Sequence, residues 1–249
     1  RALAAEFPGC AALADPSGLD WDGIDAVFVC TPAESHVGLA RQCLEAGVRG
    51  LFVEKPLSLS MDGIPELLAL AEKTGAVTMG ACNMRWAYGI EPGSSWRFLS
   101  LLDQRPLSQW RNGAVESYRS HGVLLESGVH LLDLAAHIAG PITDCRIEGS
   151  DADCVHLHVA HRGGAESSIL ADWCEQSRTN RTMRLVSLTG HCDVTPDTSD
   201  AMYVSEMEHF LSCVEKGEPT FEAVAMNGTG VFDTLKAVAK LGLTELKKK

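Results

Sequence analysis

The chain has 249 residues, 45% of them hydrophobic and 22% charged, ordinary for a globular protein with room for two modest domains. Thirty-three acidic residues against 21 basic ones leave a net charge of −12, which argues against a nucleic-acid footprint, since that needs clustered Lys and Arg. The single basic run, Lys247, Lys248 and Lys249, reads as a chain end. No membrane partner is expected, because no apolar stretch approaches the roughly 20 residues needed to cross a bilayer. Nine cysteines, an odd number with no C-x-x-C pair, read as reduced thiols in a cytoplasmic protein, with neither a disulfide framework nor a metal site.

Residues 1–10 read as a helix. Residues 25–30, "DAVFVC", form a short apolar run, a buried strand. Residues 33–46 carry helical spacing (Val37, Ala40, Cys43, Leu44), and Gly47 stops the helix. Residues 50–53 are a second strand, residues 61–73 a second helix with Ile64, Leu67, Leu68 and Ala71 on one face, and residues 76–80 a third strand. Near-continuous apolar strands alternating with helices predict a parallel sheet covered on both faces. Beyond residue 81 the pattern weakens: "EPGSSW" and "RNGAV" are loop-like, and "WRFLSLLDQRPL" reads as a short helix. Residues 127–140 form a helix with Ser127 as N-cap and Gly140 as its stop. "CVHLHVAHRGGAESSILADW" alternates, turns at Gly163–Gly164 and alternates again; residues 182–190 are another strand, all three antiparallel and half-buried. Helices over 203–217 and 224–242 close the chain. The expected fold class is therefore α/β: a Rossmann-type parallel sheet over residues 1–84, then an α+β region over residues 85–249 with a mainly antiparallel sheet.

In an open parallel sheet, ligands bind beyond the carboxyl ends of the strands. Three strand exits here run into polar or special residues: Thr31-Pro32 with His36, then Glu54-Lys55-Pro56, then Asn83 with Arg85. As isolated loop residues they would be ordinary; three in succession predict one cleft. An X-Pro bond tolerates the cis form, and a cis Lys55–Pro56 bond would aim the Lys55 ammonium into that cleft. Apolar walls and neighbouring cations would lower its pKa. The competing reading is a Glu54–Lys55 surface ion pair, although neighbours in a strand point to opposite faces.

Helical spacing sets Glu126, His130 and Asp133 on one face. A histidine flanked by carboxylates suits a general base; a lone helical histidine is also commonly structural. His156 and His158 share the polar face of a strand whose other face is Val155, Leu157 and Val159. Asp172 and Trp173 end the next strand, towards the same cleft.

The stretches "AVFVCTPAESHVGLARQCLEAGVRGLFVEKPLSLS", "NMRW" and "ESGVHLLDLAAHIAG" together resemble the glucose–fructose oxidoreductase / inositol dehydrogenase (Gfo/Idh/MocA) family. The resemblance implies a Rossmann domain followed by a domain built on a large antiparallel sheet. It implies NAD or NADP as cofactor, and hydride transfer to or from a hydroxyl or carbonyl of a sugar, sugar nucleotide or cyclitol. It places Thr31, Pro32, His36, Glu54, Lys55 and Asn83 by the cofactor, Arg85, Glu126 and His130 by the substrate, and the proton work on Lys55 and His130. Glu126 stands where the family usually has aspartate. The family's opening G-x-G-x-x-G segment does not occur in this sequence; the expectation is that either an N-terminal segment is missing from the chain as written, or loops between 88 and 122 are. A homodimer or homotetramer is expected. The alternative within the same fold is a non-catalytic protein that senses dinucleotide or sugar.

Overall fold

The computed structural model describes residues 6–220, apart from residues 8, 14–18, 94, 107–120, 152 and 174–178. Most of the expected opening helix, the loop "RNGAV", the expected helix over 224–242 and the basic end lie outside the described residues.

Sheet A follows the expected βαβαβ order. Strand β1 (Ala26–Val29) pairs in parallel with β2 (Gly50–Val53), and β2 with β3 (Val77–Gly80). Helix α1 (His36–Glu45), entered through a 3₁₀ turn at Ala33–Ser35, and α2 (Ile64–Thr74) connect them. Helix α2 ends where Gly75 takes a φ of 68° and donates its N–H to Ala71, a conformation glycine adopts without steric cost. β2, buried along its whole length, contributes Leu51 and Val53 to a core with Ala40, Cys43, Leu44 and Leu67.

A short helix α3 (Met84–Tyr88) leads to β4 (Trp96–Gln104). The expected short helix at this point is corrected to a strand. Its alternate residues Leu99, Leu101 and Asp103 are all buried, the period of a strand rather than a helix, and the segment has partners on both sides. β4 runs parallel to β7 (Glu166–Asp172) and antiparallel to β8 (Asn180–Ser187). With β5 (Ile142–Ser150), β6 (Cys154–His161) and β9 (His191–Val194), these strands make sheet B in the order β5-β6-β7-β4-β8-β9.

Helix α4 (His121–Ala139) lies on sheet B and contains a π-helical turn at Leu124–Gly128. It begins before Ser127, so the expected N-cap is corrected. The Ser127 hydroxyl instead accepts from Trp173 Nε1 and Arg105 Nη2, each at 3.0 Å, fastening the helix to the ends of β7 and β4. By length and apolarity alone α4 would pass for a membrane span, a correction to the sequence reading; in this fold it is 67% buried, with Leu131, Leu132, Leu134 and Ile138 sealed in the core of sheet B.

Helix α5 (Ala201–Lys216) turns back onto sheet A. Phe210 packs edge-on against Phe28 and Phe52, with ring centroids 5.3 and 5.5 Å apart. The approach is so close at Gly50 that an added Cβ would stand 2.5 Å from Val214 Cγ2 and 3.1 Å from Phe210 Cζ. Gly50→Ala is therefore expected to lower stability by about 1–3 kcal/mol, read as a lower denaturation midpoint with an unchanged slope.

Candidate active site

The exits of β2 and β3, helix α4, the ends of β4 and β8, and the first turns of α5 surround a cavity of about 520 Å³, within the usual size of small-ligand sites. Its walls carry Glu54, Lys55, Asn83, Glu126 and His130 from the expected set, together with Arg105, Arg181, Tyr203 and Glu206.

Lys55 and Glu126 meet across it. Lys55 Nζ donates to Glu126 Oε2 at 2.6 Å, and Glu126 Oε1 lies 2.8 Å from His121 Nδ1. The Lys55–Pro56 bond is cis. Glu54 turns back on its neighbour, its Oε2 accepting the Lys55 backbone N–H at 2.8 Å, so the partner of the Lys55 ammonium is Glu126 and the surface-pair alternative falls away.

The expected carboxylate flank of His130 is corrected. The π turn widens the helix between Glu126 and His130 and breaks the i,i+4 register, and Glu126 takes Lys55. Asp133 takes Arg85, which donates Nε to Oδ2 at 2.7 Å and Nη2 to Oδ1 at 2.5 Å. Burial, reinforced by the cations Lys55, Arg105 and Arg181, pushes His130 well below its ordinary pKa, so the neutral imidazole stands in the wall. Neither ring nitrogen has a hydrogen-bond partner among the described residues, and Nδ1 is sealed from solvent. A neutral imidazole with open valences can bond a hydroxyl and accept its proton, while the neighbouring cations weaken it as a base.

Other expected site residues stand apart from the cavity walls. Thr31 and Pro32 are exposed at the β1 exit. His36 is buried with Nδ1 2.9 Å from the Pro56 carbonyl and Nε2 2.7 Å from the Thr31 carbonyl, a brace between the first two strand exits. Arg85 is engaged by Asp133. His156 and His158 stay on the outer face of sheet B, near Ser168 and Arg146. Among the described residues, no group of His, Cys, Asp and Glu is arranged to hold a metal ion.

Arg105, Arg181, Tyr203 and Glu206 escaped the sequence reading, though two of these four, Glu206 and Arg181, left a trace. Glu206 interrupts the apolar stripe Met202, Phe210, Val214 of α5, and Asp103, which holds Arg181, sits in the inward phase of β4. Glu206 Oε1 accepts the Cys82 N–H at 2.7 Å. Burial raises its carboxyl to about 7, with Glu54 and Asp133 adding to the rise while the Cys82 N–H and Arg85 oppose it. A carboxyl raised on folding favours the fold while protonated; that contribution is complete below the ordinary value of 4.5 and is lost as pH rises through about 7. Stability is thus expected to fall by on the order of 3 kcal/mol between about pH 5 and pH 8, and Glu206→Gln to flatten that slope in urea titrations.

A parallel sheet whose strand exits open on a polar cavity, closed by a helix lying on a mixed six-stranded sheet, defines a Rossmann-type α/β protein with an added α+β layer. The family model described as "Oxidoreductase family, NAD-binding Rossmann fold" matches residues 1–81. The uncharacterized oxidoreductase YrbE of Bacillus subtilis is 36% identical over 158 residues, 59% of this chain and 44% of that protein. The dTDP-3,4-didehydro-2,6-dideoxy-alpha-D-glucose 3-reductase of Streptomyces antibioticus is 31% identical over 151 residues, 56% of this chain and 45% of that protein. Among solved structures, UDP-N-acetylglucosamine 3-dehydrogenase GnnA of Acidithiobacillus ferrooxidans superposes with a TM-score of 0.79, over 97% of this chain and 84% of that one, at 20% identity, a likeness of fold. Over residues 1–81 the chain is thus similar to the Gfo/Idh/MocA oxidoreductases, and its curated relatives carry oxidoreductase names. Its match spans less than half the length of these two curated relatives.

The donor set at the strand exits fits the nicotinamide half of a dinucleotide. Glu54 and Lys55 after β2, and Asn83 after β3, would offer it a carboxylate, an ammonium and an amide on the cavity wall, at the strand exits where open parallel sheets receive such cofactors.

Proposed function

We propose that this chain forms the nicotinamide and substrate portion of an NAD(P)-dependent oxidoreductase that interconverts a hydroxyl and a carbonyl on a sugar, sugar nucleotide or cyclitol. The observation that carries this reading is the single cavity shared by the Lys55–Glu126 pair and the unpartnered, neutral His130. Thr31, Pro32, Glu54 and Asn83 would hold the cofactor, and His36 would act through the loops it braces. The nicotinamide, when bound, accepts or returns the hydride.

The chain's own residues manage the proton. The Lys55 ammonium donates a hydrogen bond to the reacting oxygen, and Glu126 fixes where that ammonium points. His130 receives the hydroxyl proton in the oxidative direction and returns it in the reductive one. Cations around His130 stabilise negative charge that develops on the oxygen. The acceptance of 31% identity to a sugar-nucleotide reductase agrees with a carbohydrate substrate. The test is nicotinamide absorbance, followed with NAD(H) and NADP(H) against sugars, sugar acids, sugar nucleotides and cyclitols. Turnover lost in His130→Asn, with cofactor binding kept, is the expected outcome. Cofactor bound without turnover on any substrate would assign the chain to sensing instead.

A further inference from the structure

The sheet-B wall of the cavity holds more positive charge than hydride transfer to a neutral sugar requires. Arg181 lies on β8 opposite Asp103 of β4, and Arg105 follows that strand directly. One buried carboxylate serves both: Asp103 Oδ1 accepts Arg181 Nε at 2.9 Å, and Oδ2 lies 2.9 Å from Arg105 Nη2. A guanidinium carries five N–H donors; Arg105 also donates Nη2 to the Ser127 hydroxyl, whereas among the described residues the sole side-chain hydrogen bond of Arg181 is the one from Nε to Asp103. Both arginines border the cavity. The cavity's three carboxylates are engaged elsewhere, Glu126 by Lys55, Glu54 by the Lys55 N–H and Glu206 by the Cys82 N–H.

We infer that Arg105 and Arg181 form an oxyanion subsite, so that the substrate carries a carboxylate or phosphate group held on the sheet-B wall while its reacting hydroxyl lies at His130 and Lys55. The inference rests on the dehydrogenase reading for the second half of that statement alone. The subsite itself follows from planar guanidinium forks at a partly desolvated wall, the chemistry that recognises planar or tetrahedral oxyanions bidentately. The overall charge of −12 gives an anion no long-range attraction, so the affinity must come from these local donors. The fall in the His130 pKa is consistent with their reach: the same cations that disfavour an imidazolium favour an anionic group beside it.

The test is calorimetric binding by the full chain of glucuronate, glucose 1-phosphate, a UDP-hexose and neutral myo-inositol, at two salt concentrations. Binding of one anionic ligand at least tenfold tighter than of myo-inositol, weakened tenfold or more by Arg181→Gln and partly restored in Arg181→Lys, is the expected result. Which anion wins separates a sugar acid from a sugar phosphate or nucleotide. Equal affinity for neutral and anionic ligands, or no anion binding up to about 10 mM, overturns the subsite. That wild-type comparison decides the matter if Arg181→Gln fails to fold. Because binding is read without turnover, an anion bound by a protein inactive in the absorbance assay keeps the subsite and removes the dehydrogenase reading. Turnover of neutral sugars without anion binding does the reverse.

Discussion

Lys55→Ala is expected to cost about a hundred- to ten-thousandfold in turnover and, separately, about 3–5 kcal/mol of stability. The two losses have different origins. Turnover falls because the ammonium that would polarise the reacting oxygen is gone. Stability falls because the Glu126 side chain, 3% exposed, is left as a buried carboxylate without the cation 2.6 Å away. A second substitution separates the effects. Lys55→Ala with Glu126→Gln leaves no uncompensated charge, so most of the stability should return while turnover should not. Denaturant titration and steady-state rates on the two singles and the double close the cycle. A double variant as unstable as the Lys55 single would show that the pair does not hold this part of the fold. A Lys55 single with unchanged turnover would remove Lys55 from the chemistry.

Asp133→Ala is expected to destabilise by a similar amount, about 3–5 kcal/mol. Arg85 and Asp133 are joined by two hydrogen bonds with side chains 10% and 5% exposed, and removing the carboxylate leaves a guanidinium buried with its principal counter-charge gone. Burial alone would lower the Arg85 pKa; Asp133 outweighs that and raises it. The pair ties α3, at the β3 exit, to the turn of α4 that follows His130, so it is expected to position the imidazole relative to Lys55. Asp133→Asn keeps an acceptor and should lose less stability. A positioning role would appear as a drop in kcat exceeding any rise in KM in that variant, which loss of general stability would not produce at saturating substrate. Asp133→Ala with the wild-type denaturation midpoint would refute the account.

The parallel half of the fold was legible because its information is local. Short apolar runs bounded by polar exits mark β1 to β3, and helical spacing with glycine stops marks α1 and α2. The same locality made Lys55 and His130 conspicuous: one ends an apolar strand before a proline, the other sits in an apolar helix where a polar side chain needs a reason. That they share a cavity depends on α4 crossing from sheet B to the strand exits of sheet A, a contact that no window of sequence contains.

What stayed hidden was set by pairing across the chain. β4 looks helical in isolation because its apolar residues are crowded; its partners β7 and β8 impose the alternation that buries Leu99, Leu101 and Asp103. Arg181 gains its meaning from register, which sets it opposite Asp103 some eighty residues earlier. Ser127 passed for a helix cap because its local pattern allows one, whereas its hydroxyl is claimed by Trp173 and Arg105, which follow the two adjacent central strands β7 and β4. Local sequence specifies which segments bury an apolar face and with what period. Which polar groups those faces carry into one water-poor pocket, and hence which charges find partners, is fixed by long-range packing, since charge–charge energies depend on distances that arise once the sheets have closed over the helix.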